Sequence, residues 1–327
     1  MKRASMTAAK EKALSYQDKQ KELTQEVSYD LGDLTIRGLC VEAKENNAEE
    51  PTKPSNAVED NIVLCLHGWL DNAASFQPLL PHLAKALPRK NIIAIDWFGH
   101  GLSSHRSADA HYHFIDWVYD LVQLFEVNQW QQVDIVAHSM GGMIASAFAA
   151  AFPEKVKSLT LIDSIGLLSA KAQESTTQLR RGMLSRLKDQ RFDKNKPVKK
   201  QSRHLSEDSA IKARVNVSDL TYEHAKLIVQ RGLLYEDDGY VWRSDHRLRK
   251  TSPYRLTLAQ AEQFIQDIKC PVQLIYGNSG MDMVTKGLKH FGPLFTKFKA
   301  VELEGGHHVH MEKPLELATL IKSEMIT

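Results

Sequence analysis

The 327-residue chain lacks a long hydrophobic run. Its longest stretch of small apolar residues, 145–152, is short and contains Ser146. A membrane-spanning helix needs about 20 consecutive apolar residues, so no segment is predicted to cross a membrane. The start of the chain also lacks the apolar core of a secretory signal, because Met1-Lys2-Arg3 is followed by a charged stretch over residues 10–26. We therefore expect no secretory signal.

Cysteine is scarce, with three residues in the whole chain. Cys40, Cys65 and Cys270 each lie in or beside a strand-like apolar run, which predicts buried, reduced thiols rather than a disulfide framework. No CxxC pair and no Cys/His spacing typical of zinc occurs. Reduced thiols are most compatible with a cytoplasmic location.

A strong overall charge is also missing, since the formal net charge is only +2. The balance predicts no nucleic-acid partner. The charge is nevertheless uneven, because residues 166–262 contain 20 Lys and Arg against 12 Asp and Glu. This excess indicates either a solvated helical surface or attraction to anionic substrates or surfaces.

What the sequence does contain is a series of short, β-rich apolar runs separated by segments with helical patterns. Most runs are apolar without alternation, which is typical of strands that are buried on both faces of a parallel sheet. The predicted fold class is therefore α/β, with a mostly parallel central sheet covered by helices on both faces. Strands are predicted over residues 34–43, 61–66, 91–95, 133–137, 158–162, 271–276 and 300–303, and helices over residues 114–125 and 140–152, among others.

The alternation of strands and helices stops after Gly166 and resumes only at Cys270-Pro271. The intervening residues show helical patterns, such as 220–234, and a turn signal at residues 237–239. An inserted helical cap over the carboxyl ends of the strands, where open α/β sheets bind ligands, is the simplest interpretation. The predicted domains are an α/β core over residues 1–165 and 263–327, and a helical cap over residues 166–262.

A candidate nucleophile follows the predicted strand at residues 133–137. The next five residues, HSMGG at 138–142, lead directly into a helical pattern. A serine on such a sharp strand-to-helix turn is exposed for nucleophilic attack, and the turn requires small residues two positions to either side. Ala137 and Gly141 satisfy this requirement. The pattern therefore predicts Ser139 as the nucleophile.

Candidate bases lie in the segment LEGGHHVHMEKP at residues 303–314. A strand here ends in two glycines, which allow the backbone to bring an imidazole over the nucleophile. Histidine is the usual general base near neutral pH. His307, His308 and His310 all follow the glycines, so the residues alone leave three candidates.

A candidate oxyanion hole follows the strand predicted at residues 61–66. Acyl transfer needs hydrogen-bond donors directed at the oxyanion that develops on the substrate. The backbone N–H of Met140, directly after the nucleophile, is one natural donor. The backbone N–H of Trp69, in His67-Gly68-Trp69, is the second, because the loop after that strand passes beside the nucleophile. The Trp69 side chain is alternatively a packing residue.

Together these motifs resemble the α/β-hydrolase family over residues 30–320, in the family's order. Within it, the segment WRSDHRL at residues 242–248 and Gly280 resemble the serine hydrolase-like branch. The resemblance implies a Ser-His-acid triad and usually no metal or organic cofactor. The family pattern G-H-x-x-H-x-E-x-P implies His307 as the base, and leaves His308 and His310 structural.

The acid of the triad remains open between two aspartates. Most family members carry it in a G-x-x-D turn after the seventh strand, where this chain has Gly277-Asn278-Ser279-Gly280. Asp163, at the end of the strand predicted over residues 158–162 (the sixth sheet strand by family count), is our first choice, as in some relatives of dehalogenase type. Asp282 is the alternative acid if the turn bulges. A chain without a true acid is the third possibility.

The sequence therefore predicts a serine hydrolase that cleaves a small or medium carboxylic ester through an acyl-enzyme. The partner expected is a small-molecule acyl substrate. A carbon–carbon bond hydrolase with the same triad and a non-catalytic ligand-binding member of the fold are the alternatives. Dehalogenases and epoxide hydrolases are disfavoured, since they need an aspartate where Ser139 stands.

Overall fold

A computed structural model describes residues 24–44, 61–188 and 203–325. Eight strands form the central sheet: β1 Gln25–Leu31, β2 Leu34–Val41, β3 Ile62–Leu66, β4 Asn91–Ile95, β5 Val133–His138, β6 Val156–Ile162, β9 Val272–Gly277 and β10 Phe298–Leu303. They lie in the order β1-β2-β4-β3-β5-β6-β9-β10. The pairs β1–β2 and β2–β4 are antiparallel, and every other pair is parallel. The predicted mostly parallel α/β fold is confirmed.

Both faces of the sheet are apolar because consecutive strand residues point to opposite sides. In β3, Leu64 and Leu66 belong to one buried cluster, whereas Val63 and Cys65 belong to a second. Each cluster needs its own cover of helices. The first face is covered by Phe114–Val127, Met140–Ala151, Leu258–Asp267 and Asp282–Phe291, and the second by Leu80–Ala86 and Pro314–Met325.

The segment between β6 and β9 contains the predicted helices and a feature that the sequence analysis did not predict. Its helices span Ser175–Leu187, Glu207–Val215 and Tyr222–Gly232. A separate antiparallel hairpin follows, made of β7 Leu233–Glu236 and β8 Gly239–Trp242. The hairpin does not join the central sheet. The predicted cap boundary at residue 262 falls inside the helix Leu258–Asp267, which packs on the core.

Ion pairs join this inserted segment to the core. The Arg231 guanidinium donates to both carboxylate oxygens of Asp96, at 2.9 and 3.1 Å, and both side chains are buried. Asp245, in the segment 242–248 that the sequence analysis singled out, accepts a hydrogen bond from Tyr112 at 2.9 Å. Its neighbour Arg247 donates to backbone carbonyls of the core at residues 106, 107 and 110. The serine hydrolase-like motif thus anchors the insertion.

The structure also shows the lengths of the apolar helices and the state of the cysteines. Across residues 24–44, 61–188 and 203–325, no helix is long and apolar enough to span a bilayer. Cys40, Cys65 and Cys270 are free, buried thiols, as predicted, and burial raises the pKa of each.

Candidate active site

Ser139 stands on the sharp turn between β5 and the helix Met140–Ala151. Its backbone has φ 51° and ψ −118°, in the left-handed half of conformational space that L-residues rarely adopt. Two hydrogen bonds hold the turn: the Ser139 N–H donates to the Ile162 carbonyl at 3.1 Å, and the Ser164 hydroxyl donates to the Ser139 carbonyl at 2.7 Å. The neighbouring strand therefore fixes the strained residue in place.

The small residues after Ser139 are required by close backbone packing. A Cβ atom at Gly141 would lie 2.4 Å from the Leu66 carbonyl oxygen, which is far inside van der Waals contact. A Cβ atom at Gly142 would lie 2.7 Å from the Ser164 hydroxyl. The requirement for glycine after the nucleophile thus follows from the approach of the helix to β3 and to the loop after β6.

His307 lies between Ser139 and an aspartate. Its Nε2 is 3.0 Å from the Ser139 Oγ, and its Nδ1 is 2.5 Å from Oδ2 of Asp163. With the proton on Nδ1 donated to the carboxylate, Nε2 is free to accept the serine proton. The backbone carbonyl of His307 accepts a hydrogen bond from Nε2–H of His138 at 3.0 Å. The imidazole is therefore oriented from both its ring and its backbone.

Asp163 is brought to His307 by the end of β6. It is 2% exposed, has a φ of 43°, and accepts a second hydrogen bond from the Met281 N–H at 3.3 Å. A Cβ atom at Gly280 would lie 2.4 Å from Oδ1 of Asp163. Glycine at the usual acid position therefore leaves the space that the Asp163 carboxylate occupies.

Asp282, the alternative acid, lies in a different environment. It begins the helix Asp282–Phe291, and its side chain is 93% exposed. Its nearest basic partner is Lys286, at 4.0 Å one turn along the helix. The structure brings Ser139, His307 and Asp163 together and leaves Asp282 in solvent.

The fit between Gly280 and Asp163 predicts the effect of a single methyl group. Gly280→Ala would force the Asp163 carboxylate away from its present position, and a displacement of about 1 Å at a catalytic group can cost about 100-fold in rate. We expect kcat for ester hydrolysis to fall by about 10- to 100-fold. Ser279→Ala, at the exposed neighbouring position, is the matched control and should retain wild-type kcat. Equal kcat values for Gly280→Ala and Ser279→Ala would contradict the inference that the close packing of Gly280 against Asp163 positions the carboxylate.

The two predicted oxyanion donors belong to chain segments that lie beside Ser139. Met140 is the first residue of its helix, where backbone N–H groups have no partner within the helix. A Cβ atom at Gly68 would lie 3.1 Å from the Ser139 Cβ, so the loop that carries Trp69 passes directly beside the nucleophile. The Trp69 side chain is 49% exposed, and its indole N–H donates to the Leu248 carbonyl at 3.3 Å. Trp69 therefore also contacts the inserted segment.

A second group of buried polar residues lies next to His307. Nδ1 of His308 is 2.5 Å from Oδ1 of Asp219, and its Nε2 is 3.3 Å from Oδ2 of Asp71. Arg214 donates to the other Asp71 oxygen at 2.5 Å. Burial alone would lower the pKa of His308, but the carboxylates of Asp71 and Asp219 raise it to about 9. His308 is therefore a cation at neutral pH.

His138 and His310, which also lie at the site, are neutral. Burial lowers the pKa of His138 well below its usual value, and the neighbouring His310, His307 and His308 lower it further. Burial, together with His308, likewise lowers the pKa of His310. The His310 ring packs against Phe76 at 5.1 Å between centroids, in keeping with the structural role predicted for it.

Among the described residues, one group of side chains has spacing compatible with a metal ion. Asp71, His138 and His308 each offer a ligand atom, these atoms lie within 4.8 Å of one another, and all three residues are buried. The second Asp71 oxygen already holds the Arg214 guanidinium, and a metal would have to displace the His308 proton. Two carboxylates against two cations, with Asp219 included, leave the group neutral. We therefore assign it as an ion-pair network.

The sequence motifs do not predict this network. The family pattern implies a structural role for His308 and includes none of Asp71, Asp219 and Arg214. Asp71 follows Trp69 by two residues and His138 immediately precedes Ser139, so proximity to the motifs was an available signal for these two. Asp219 and Arg214 come from the inserted segment, and only the tertiary structure brings them to the site.

Comparison with known proteins identifies relatives across most of the chain. A family model described as the alpha/beta hydrolase fold matches residues 61–314. A serine hydrolase-like protein of Danio rerio is 30% identical over 79% of this chain and 79% of its own length. Serine hydrolase-like protein 2 of Homo sapiens is 30% identical over 80% of this chain and 85% of its own.

Solved structures share the fold. A hypothetical protein from Pseudomonas aeruginosa PAO1 superposes with a TM-score of 0.77 at 29% identity. The match covers 92% of this chain and 97% of that protein.

Proposed function

Because the chain belongs to the α/β-hydrolase family, we propose that it is a serine hydrolase that cleaves carboxylic esters of small or medium size through an acyl-enzyme. The observation that carries the proposal is the unbroken hydrogen-bonded series from the Ser139 hydroxyl through His307 to Asp163. A nucleophile, a base within hydrogen-bond reach and a third group that orients the base form the arrangement that activates a serine. The predicted oxyanion donors on either side support it.

Acylation begins when His307 takes the Ser139 proton at Nε2 as Oγ attacks the carbonyl carbon of the ester. The negative charge moves to the carbonyl oxygen, towards which we assign the backbone N–H groups of Met140 and Trp69. His307 then gives its Nε2 proton to the departing alkoxide, which leaves as an alcohol. The Asp163 carboxylate stabilises the imidazolium in between and keeps the proton on Nδ1.

Deacylation repeats these steps with water. His307 removes a proton from the water as its oxygen attacks the acyl carbon, and Ser139 leaves with the proton that His307 returns. The products are a carboxylic acid and the restored enzyme. Esters are the proposed substrates because an alkoxide leaves more readily than an amine.

We further propose that the inserted segment, predicted as residues 166–262, acts as a cap that encloses the acyl group. Its support is the hydrogen bond from the Trp69 indole to Leu248, which brings the insertion to the loop of the oxyanion hole. A cap favours small or medium substrates over polymers. The three free thiols support a reducing compartment such as the cytoplasm.

A panel of p-nitrophenyl esters with acyl chains of increasing length tests the proposal. We expect hydrolysis with a maximum at short or medium chains, together with labelling by a fluorophosphonate probe, which reacts with activated serines. His307→Ala should abolish both, because Ser139 loses its base. Asp208→Asn serves as the control, because the Asp208 side chain is exposed and its replacement leaves the core undisturbed.

Ester hydrolysis and fluorophosphonate labelling together distinguish the proposed function from its alternatives. Labelling without ester hydrolysis would indicate an activated serine whose natural reaction is different, such as carbon–carbon bond cleavage. A folded protein that shows neither would be a non-catalytic binding member of the fold.

A further inference from the structure

The ion-pair network behind His307 connects three parts of the chain. Asp71 closes the turn that contains Trp69, since its N–H donates to the Gly68 carbonyl at 3.2 Å. His308 directly follows the proposed base in sequence. Arg214 lies in the helix Glu207–Val215 of the inserted segment, and Asp219 follows that helix. The network therefore joins three segments at one buried point. They are the loop after β3 that contains Trp69 (the oxyanion loop), the loop after β10 that contains His307 (the base loop), and the cap.

We propose that Asp71, His308 and Asp219 are positioning residues that make the activation of Ser139 depend on the seating of the cap. The proposal rests on the proposed serine hydrolase function. None of the three residues touches the reacting atoms in this arrangement. They act through the backbone of His307 and through the loop of Trp69.

The cap contacts the base loop through Asp219 and through an apolar cluster. Besides its ring contact, Asp219 accepts a hydrogen bond from the His308 backbone N–H at 3.1 Å. A Cβ atom at Gly306 would lie 2.4 Å from Oδ2 of Asp219, so the second glycine of the motif is needed for this approach. Met311, from the same loop, belongs to the small apolar cluster of the cap. The cap thus holds the chain on both sides of His307.

The contacts on the nucleophile side pass through Asp71. Its carboxylate lies 3.7 Å from Nδ1 of His138, whose other ring nitrogen donates to the His307 carbonyl. His138 in turn precedes Ser139. Both carboxylates that hold His308 require it to carry two ring protons, because an unprotonated nitrogen would face an acceptor. Loss of one proton from His308 therefore releases either the cap or the oxyanion loop.

The charged state of His308 gives the proposal a pH signature. Asp71, Asp219 and Arg214 face it, together with the His307 ring at 5.2 Å between centroids and the neutral rings of His138, His310 and His224. Because its pKa is raised from 6.5 to about 9 in the folded state, its contribution to stability is complete below pH 6.5 and is lost as the pH rises through about 9. We expect the labelling rate of Ser139 to decline over the same interval.

The experiment combines NMR titration of the histidine rings with the pH dependence of fluorophosphonate labelling. In the wild type, the His308 ring should titrate near pH 9, and the labelling rate should fall with the same midpoint. Asp219→Asn removes one carboxylate, so both midpoints should move down by about one pH unit and the rate at pH 8.5 should fall several-fold. Asp219→Glu should restore the wild-type midpoints at least in part.

The matched control is Asp237→Asn, which makes the same change at an exposed acid of the cap that pairs with Arg203. Its labelling profile should equal that of the wild type. A His308 midpoint near 6.5 in the wild type would overturn the network, with no variant required. A His308 midpoint near pH 9 with a labelling rate that does not change over the same pH range would overturn the positioning role. Equal labelling profiles for Asp219→Asn and Asp237→Asn would overturn it as well. Absence of labelling in the folded wild type would instead refute the serine hydrolase proposal.

Discussion

Replacing Ser139 with alanine is expected to lower ester hydrolysis by about 10⁴-fold or more. The substitution removes the atom that would form the acyl-enzyme, the Oγ that lies 3.0 Å from Nε2 of His307. The residual rate would come from the oxyanion donors and from substrate binding alone. The measurement is kcat with the preferred p-nitrophenyl ester, and covalent labelling by the fluorophosphonate should disappear in parallel.

The fold of this variant should be unaffected. The strain at φ 51° belongs to the backbone, and alanine experiences it as serine does. Ser146→Ala is the matched control, since this serine lies in the following helix and its hydroxyl donates only to the Gly142 carbonyl. It should cost about 1 kcal/mol of stability and leave kcat near the wild-type value. An alanine variant at 139 that kept most of its activity would rule out Ser139 as the nucleophile.

The parallel core was predictable because its strands are buried on both faces. The run at Ile62–Leu66 is apolar at every position, and its short length and β-branched residues favour a strand over a buried helix. By contrast, β1 was missed. Its residues alternate between polar and apolar along QEVSYDL, and it lies at the sheet edge with an exposed face, so its start was read as part of a charged stretch.

The hairpin in the inserted segment was missed for a different reason. Its turn at residues 237–239 was recognised, but the apolar residues before it continue the periodicity of the helix Tyr222–Gly232. Gly232 ends that helix and β7 begins at the next residue. Helical and strand periodicities cannot be separated over four residues without knowledge of the partner strand.

The local pattern of a strand end and glycines was sufficient to propose Ser139, whereas His307 was selected among three histidines only by its resemblance to the family pattern G-H-x-x-H-x-E-x-P. The acid could not be identified in the same way. The choice between Asp163 and Asp282 depends on which carboxylate the sheet brings to His307, and this is a relation between β6, β9 and the loop after β10. The contact between Gly280 and Asp163 joins residues 117 positions apart, beyond the reach of any local motif.

Replacement of the proposed acid, Asp163, is also expected to have a large effect on kcat. Asp163→Asn should preserve the fold and lower kcat by about 10³- to 10⁴-fold. An amide at this position can donate its N–H to Nδ1 of His307, which would transfer the ring proton to Nε2. That tautomer cannot accept the proton of Ser139, so the nucleophile would lose its base while every heavy atom stays in place.

Asp282→Asn is the matched control for this change. The same substitution two residues after the usual acid position, on a side chain that is 93% exposed, should alter kcat by less than about tenfold. Crystal structures of both variants, or their NMR fingerprints, would verify that the fold is retained. If Asp282→Asn lowered kcat more than Asp163→Asn, the turn after β9 would have to rearrange in the working enzyme so that Asp282 reaches His307. The buried Asp163 would then be a structural partner of Met281 and not the acid of the triad.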